Sequence, residues 1–346
     1  MNALSEVEFR EIVRAGILAP SADNRHRLKF ELFDEGIRLW CTSDFLSAGL
    51  QQRVLALISF GAVAENIKIR ATRYGFDCLT TWFPDPSRPD LLAEICPGKA
   101  GRPLDELDPV IESRHTNRRF YQRSSMAEAD RQRINAEVAK VPDVNLLWLD
   151  DVGLRKKALR LIRIAETERF RSRELHHELF SAIRFEAGWR TPTPEGLAPG
   201  ALEIEKPLQR LFGLLRHWPV MRALQFIGAH KLIGVRASTI PCLTAPHLCA
   251  LVTSLNLTEG SISTGAALER LWLGANQIGL AFQPFAASAL YALKLNTEVQ
   301  TALNQQLRAG WQEIAGDNAV MMIARLGHAK EPSLRSSRHP VEHYLK

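Results

Sequence analysis

The segment GAVAENIKIRATRYGF, Gly61 to Phe76, returns 204 residues later as GAALERLWLGANQIGL, Gly265 to Leu280. Five of the sixteen positions are identical: Gly61/Gly265, Ala62/Ala266, Glu65/Glu269, Ala71/Ala275 and Gly75/Gly279. Chance would supply about one. Val63, Ala64, Ile67, Ala71 and Tyr74 share one helical face in the first copy, and Ala267, Leu268, Leu271, Ala275 and Ile278 take the same places in the second. Each copy ends at a glycine suited to a left-handed C-terminal cap. The repeat predicts two homologous halves packed helix on helix, an intrachain pseudo-dimer. Two unrelated Ala-rich core helices are the plainer alternative.

A chain of 346 residues, 46% hydrophobic and 24% charged, can bury a substantial core as one large domain or two ordinary ones. Disorder, collagen and coiled coil are excluded. The longest nearly apolar run, Val54 to Ala64, is too short for the roughly 20 residues of a membrane-spanning helix. The N-terminus carries acids where a signal peptide carries a basic end, so a cytoplasmic location is expected. Cys41, Cys78, Cys96, Cys242 and Cys249 are odd in number and form no CxxC pair, which speaks for reduced thiols. In PCLTAPHLC, Cys242, His247 and Cys249 nominally offer zinc three ligands, but no fourth is evident and no metal is expected.

The net charge of +6 is unevenly spread. Residues 1–108 hold 13 basic and 16 acidic side chains, a balance of −3, which leaves +9 for the rest. Arg155 to Arg173 has eight basic and two acidic residues. It could serve nucleic acid, but Ala158, Leu161 and Ile162 give it an apolar side, and its arginines then read as a solvated face.

Along the chain, Ser5 and Glu8 form a capping box for a helix ending before Pro20. A hairpin over about Lys29–Phe33 and Ile37–Cys41 follows, then a long helix from Gln51 to Tyr74 and a strand at FDCLTTWF. Pro97 to Pro109 reads as a linker. Beyond it come a strand near Val144–Leu149, the basic helix, an irregular region from about Gly188 to Pro246, a second long helix from near Ser263, a strand, a helix through Leu307 and a last strand, NAVMMIARLG.

The helix, APSADN, LKFEL and the two Gly/Ala-rich helices together resemble the FMN-dependent nitroreductase family, in its tandem, Acg-like branch. The resemblance covers most of the chain and implies an α+β fold, with 1–108 as the first half and 109–346 as the second, carrying a lid-like insertion at about 188–246. RHTNRRFYQR resembles the family's opening basic segment, which implies Arg114, His115, Thr116 and Arg118 as contacts to FMN. An arginine fork and a hydroxyl suit a dianionic phosphate on physical grounds as well. Arg335 and Arg338, in the basic segment after the last strand, match the pair completing the phosphate pocket. Pro20, Ser21 and Asn24 match the APSxxN turn that reaches the flavin from the other half. His26, Arg27 and Leu28 replace the usual QPW, which puts the typical aromatic wall and substrate range in doubt. AFQPFAA falls where the family presents backbone donors to the flavin ring, which implies Gln283, Pro284 and Phe285.

The first half has no RHT segment, so one complete FMN site per chain is expected, within a monomer if need be. No GxGxxG follows a strand, no phosphate loop exists and no HExxH is present; HHEL at His176–Leu179 has no matching partner. Two functions follow. In one, NAD(P)H reduces FMN, which passes electrons to a small acceptor such as a nitro compound or quinone, with no side-chain acid or base required. In the other, the chain sequesters or stores FMN with little turnover. The expected partner is a small molecule, with neither membrane nor nucleic acid.

Overall fold

The computed structural model describes residues 4–346. Ser5 caps the first helix, α1 (Glu6–Ile17), through the reciprocal bonds of a capping box with Glu8. β1 (Leu28–Phe33) and β2 (Gly36–Cys41) follow as a hairpin, then the short α2 (Ser43–Leu46), the long α3 (Leu50–Ala71), β3 (Phe76–Trp82) and β4 (Leu91–Ala100). The later part contains α4 (Glu128–Ala139), β5 (Val144–Trp148), α5 (Val152–Arg171), α6 (Arg173–Ser181), α7 (Gln209–Leu215), α8 (Trp218–Gln225), α9 (Ala229–Gly234) and α10 (Ile240–Thr244). It closes with β6 (His247–Thr253), α11 (Leu257–Gln277), β7 (Ala281–Phe285), α12 (Ala287–Ala292), α13 (Thr301–Ala315) and β8 (Ala319–Gly327).

The strands form two antiparallel sheets of four, ordered β1-β2-β4-β3 and β5-β6-β8-β7. Each long helix lies between the second and third strands of its sheet in sequence, so the two sheets share one strand order although their other connections differ: β1 and β2 join in a tight hairpin, whereas α5 to α10 separate β5 from β6. α3 and α11 pack against each other at the centre. A side chain on Gly61 would run into the Ile262 carbonyl, and one on Gly265 into the Ile58 carbonyl. Only glycine permits so close a backbone approach. Past the helices, Gly75 and Gly279 both adopt φ of 76°, the left-handed turn that leads each into a strand. Ile262 of α11 enters the core under the first sheet, while Val54 and Ile58 of α3 enter the core under the second.

The sheets differ in cover. The first buries one face on α1 and α3, and β3 alternates between half-buried and exposed residues. The second is covered on both faces, by α4 and α11 on one side and by α5 and α13 on the other, so every residue of β6 is buried.

Two regions depart from the sequence reading. Pro97 and Gly98 belong to β4, which extends into the expected linker. Pairing with β2 ends at Ile95, so beyond it Pro97 has a partner strand on one side alone and its missing N–H breaks no ladder. The stretch 188–246 is largely helical rather than irregular. Pro207, Pro219 and Pro241 occupy first turns of helices, where the ring is tolerated. β4 and β6 are both absent from the sequence reading.

The C-terminal tail crosses back to the first sheet. Tyr344 is buried in the first core, Leu345 bridges Phe30 in parallel, and the Lys346 N–H donates to the Phe30 carbonyl at 2.9 Å. No helix of the described residues is long and apolar enough to cross a membrane.

Candidate functional site

A cavity of about 410 Å³ opens where the end of α1, the α3/α11 crossing, α6, β7 and the tail meet. Pro20, Ser21 and Asn24 line it together with Arg114, His115, Thr116, Arg118, Pro284, Arg335 and Arg338. Its volume lies within the usual range for small-molecule sites. Leu55, Ile58, Leu268, Trp272, Leu290 and Met322 supply apolar wall.

Gln283 and Phe285 do not line it. Successive strand residues face opposite ways, so Pro284 faces the cavity while its neighbours turn from it. Phe285 packs in the core around α5 and α13, and Gln283 accepts a 2.8 Å hydrogen bond from the fully buried Arg325.

The arginines are in different states. Arg338 donates Nε to the Ile17 carbonyl at 2.8 Å and Nη2 to the Ala19 carbonyl at 2.9 Å, and its Nη1 meets Asn24 Oδ1. It thereby fastens the end of α1 and the APSADN turn to the tail. Burial, with Arg114 nearby, holds its pKa down at about 10. Arg114 donates to the Leu18 carbonyl at 2.6 Å and lies over the Trp272 ring, 4.6 Å from its centroid. Its Nε is 3.3 Å from Glu269 Oε1 without the alignment of a hydrogen bond, and neither atom has another partner. Burial lowers the Arg114 pKa, against the pull of Glu269.

Arg118 makes one bond, from Nη1 to the Ala201 carbonyl at 3.1 Å, and burial lowers its pKa too. Arg335 pairs with Glu331 at 2.6 Å on the half-exposed rim. His115 is held by the Ser113 carbonyl at 2.8 Å, and its own carbonyl accepts from Trp272 Nε1 at 3.2 Å.

Among the cavity residues that the sequence did not single out are Asp23, Arg169, Glu178 and Tyr291. Burial raises the carboxyl pKa of both Asp23 and Glu178, with Arg169 opposing it in each. Asp23 also holds φ of 53°, a left-handed conformation that Asp tolerates. Arg169 leaves the basic helix towards this cavity, next to Glu166 at 3.2 Å. Elsewhere on α5, Arg155 binds the carbonyls of Pro246 and Cys242, and Arg171 pairs with Glu168 at 2.8 Å. Much of the helix's positive charge is therefore engaged within the fold.

The segment after α6 closes one side. Leu197 and Ala201 line the cavity, and Leu197 bridges Ile183. The Thr193 carbonyl accepts from Asn24 Nδ2 at 3.0 Å and from the Ser337 N–H at 3.2 Å, while Arg25 pairs with Glu195 at 2.9 Å. His26 and Arg27 point elsewhere. The imidazole bonds the Ile17 carbonyl at 2.9 Å, with its pKa pushed down by burial to about 3, and Arg27 lies 3.4 Å from Asp44.

At PCLTAPHLC, His247 bonds Asp150 at 2.7 Å and accepts from the Met126 N–H at 2.9 Å. Among the described residues no three His, Cys, Asp or Glu side chains converge as a metal site.

This arrangement suits an anion with a flat apolar body. Arg114, largely inaccessible, and the partly buried Arg118 and Arg338 meet at one cavity, the hydroxyl of Ser21 is buried with no partner, and apolar side chains form the remaining wall. Buried cations in excess of bonded acids favour an anionic ligand that would complete them.

No protein-family model and no curated protein matches the chain. Solved structures similar to it include a nitroreductase with bound FMN from Bacteroides fragilis, at 13% identity over 68% of this chain and 94% of that one, with a TM-score of 0.38. A BluB-like flavoprotein from Clostridium difficile shows 13% identity over 69% and 97%, with a TM-score of 0.39. The FMN-dependent nitroreductase NfnB from Mycobacterium smegmatis, in complex with NADPH, shows 16% identity over 69% and 96%, with a TM-score of 0.38.

Proposed function

We propose that the chain is a tandem nitroreductase-like protein whose cavity binds one FMN, and that it acts as an NAD(P)H oxidoreductase on a small acceptor such as a nitro compound or quinone. The observation that carries this reading is the meeting, in one cavity, of the APSADN turn from residues 1–108 with the RHTNR and tail arginines from residues 109–346. The two halves form an intrachain pseudo-dimer in this reading, so the site needs no second chain. Arg118, Arg335 and Arg114 would hold the phosphate with the Ser21 hydroxyl, and Arg338 would keep the turn in place. Trp272, Leu268, Ile58 and Pro284 would bound the ring. When bound, FMN supplies hydride and electron transfer; the side chains bind, orient and exclude water.

FMN sequestration is the second reading. It is favoured by the two hydrogen bonds that the Thr193 carbonyl accepts, from Asn24 Nδ2 and from the Ser337 N–H, which latch the segment beside the cavity to both the turn and the tail.

The test is an anaerobic absorbance spectrum of the purified protein, reconstituted with FMN and then given NADPH. A bound flavin that bleaches supports the oxidoreductase, and one that stays yellow supports sequestration. No stoichiometric FMN after reconstitution removes both.

A further inference from the structure

The insertion carries a surface that the cavity does not use. From Lys206 to Thr258 the chain contains no Asp or Glu, while Lys206, Arg210, Arg216, Arg222, Lys231 and Arg236 lie within its first 31 residues. Arg236 pairs with Glu205 at the margin, but the other five are exposed and make no ion pair among the described residues. Interleaved with them are large apolar side chains that the fold leaves in water. α7 turns Phe212 and Leu215 inward to the cluster around Phe170 and Phe180 and leaves Leu211 and Leu214 outside, with Leu208 exposed in the turn just before it. The turn between α8 and α9 presents Phe226 at 90% exposure and Ile227 at 76%, and α9 adds Leu232 at 71%. Hydrophobic exposure on this scale in consecutive elements marks an interaction face.

We propose that this helical face docks on the surface of an anionic lipid bilayer. Short helices with exposed Leu, Ile and Phe among unpaired Lys and Arg have the composition of an interfacial element: the apolar tips enter the headgroup boundary and the cations meet the lipid phosphates. A second copy of the chain fits less well, because a two-fold contact would set this face, with its five free cations, against itself. Docking on a surface needs no apolar helix of spanning length, so the absence of such a helix among the described residues does not oppose it.

The experiment is co-sedimentation of the full chain, FMN-loaded, with phosphatidylcholine vesicles with and without phosphatidylglycerol, at low and physiological ionic strength. Binding to the anionic vesicles alone, weakened by salt, is expected. F226S/I227S should reduce it at least about tenfold through lost apolar insertion. R210Q/R222Q/K231Q should reduce it roughly a hundredfold, at about fivefold per charge. Both variants alter exposed side chains, and near-ultraviolet circular dichroism with retained FMN confirms their fold. Equal binding to neutral vesicles, no binding to either, or pelleting unchanged in both variants overturns the proposal. So does concentration-dependent self-association in sedimentation velocity that F226S/I227S abolishes without any vesicle binding, which would give the face to a second copy.

Discussion

Glu65 and Glu269, 204 residues apart, stand one on each central helix, and their surroundings differ. Glu65 bonds Arg270 at 2.5 Å, and that guanidinium also meets Glu137 at 2.9 Å and Asp105 at 3.2 Å. Glu269 is fully buried, has Arg114 at 3.3 Å, and makes no hydrogen bond to it. Around Arg270 the acids close an ionic cluster; around the adjacent Glu269 the facing cation, Arg114, is not hydrogen-bonded to it and borders a cavity whose arginines have few bonded acids. Two similar frames are thus separated in use by what fills the space beside one glutamate. The segments that create the difference, RHTNR, the insertion and the tail, all belong to the later part of the chain.

The comparison breaks first if the crossing is disturbed. Gly61→Val should cost at least about 3 kcal/mol or prevent folding, because the added atoms meet the Ile262 backbone rather than a movable side chain. Urea unfolding measures it, and Gly265→Val should match it at Ile58. A mild effect at either glycine would mean that the helices can separate there.

The two glutamates should then respond with opposite signs. Glu65→Gln removes a carboxylate from Arg270 and should destabilise by roughly 1–3 kcal/mol at neutral pH. Burial raises the Glu269 pKa to about 7, against the pull of Arg114. An unfolded chain releases that proton from about pH 4.3 upward, so the native state loses stability as pH rises to about 7, and no further beyond it. Glu269→Gln should therefore gain up to about 3 kcal/mol over the parent at pH 8 and little at pH 4. A pH series of urea midpoints decides it, and equal signs for the two variants would erase the distinction.

Ligand affinity sharpens the contrast further. Arg114→Ala and Arg118→Ala should each weaken FMN by about ten- to a hundredfold, the worth of one charge-assisted contact. Arg338→Ala should weaken it and lower the melting temperature as well, since that side chain also ties α1 to the tail. Fluorescence titration and calorimetry separate the two effects. The smallest effect belongs to the latch. Arg25→Ala breaks half-exposed pairs to Glu195 and Asp44 and should cost under about 1 kcal/mol. It should nonetheless speed FMN release severalfold in stopped-flow measurements, and an unchanged rate would place the exit elsewhere.

α1 was legible through its capping box, the first hairpin through its alternation and turn, and α3 and α11 through helical periodicity and terminal glycines, although both long helices are largely buried. The last strand, as buried as β6, was legible as an apolar run that stops at Gly327. β6 was not, since both its faces are covered and HLCALVT carries no alternation to read. β4 was hidden by Pro97, whose acceptability depends on where β2 stops. The prolines of the insertion read as breakers, although at first turns they begin helices. At the site, contiguous motifs such as APSADN and RHTNR were readable. Asp23, Arg169, Glu178 and Tyr291 reach the cavity from elements distant in sequence, and only the fold collects them. Asp23 lay inside a recognised motif and Arg169 inside the basic helix, so the signal was present without its direction.

The returning tail sets a schedule for synthesis. β1 is an edge strand, and Leu345 covers part of that edge while Tyr344 fills the core beneath it. At ribosomal speed, roughly 15 to 60 s separate the emergence of Phe30 from that of Leu345. During that interval the first sheet waits with an uncovered rim, and Arg335 and Arg338 have yet to exist. A site that needs Arg335 and Arg338 can form only after the rest of the chain has been made, and a holdase that shields β1 in the meantime would raise the yield of folded protein without touching its final stability.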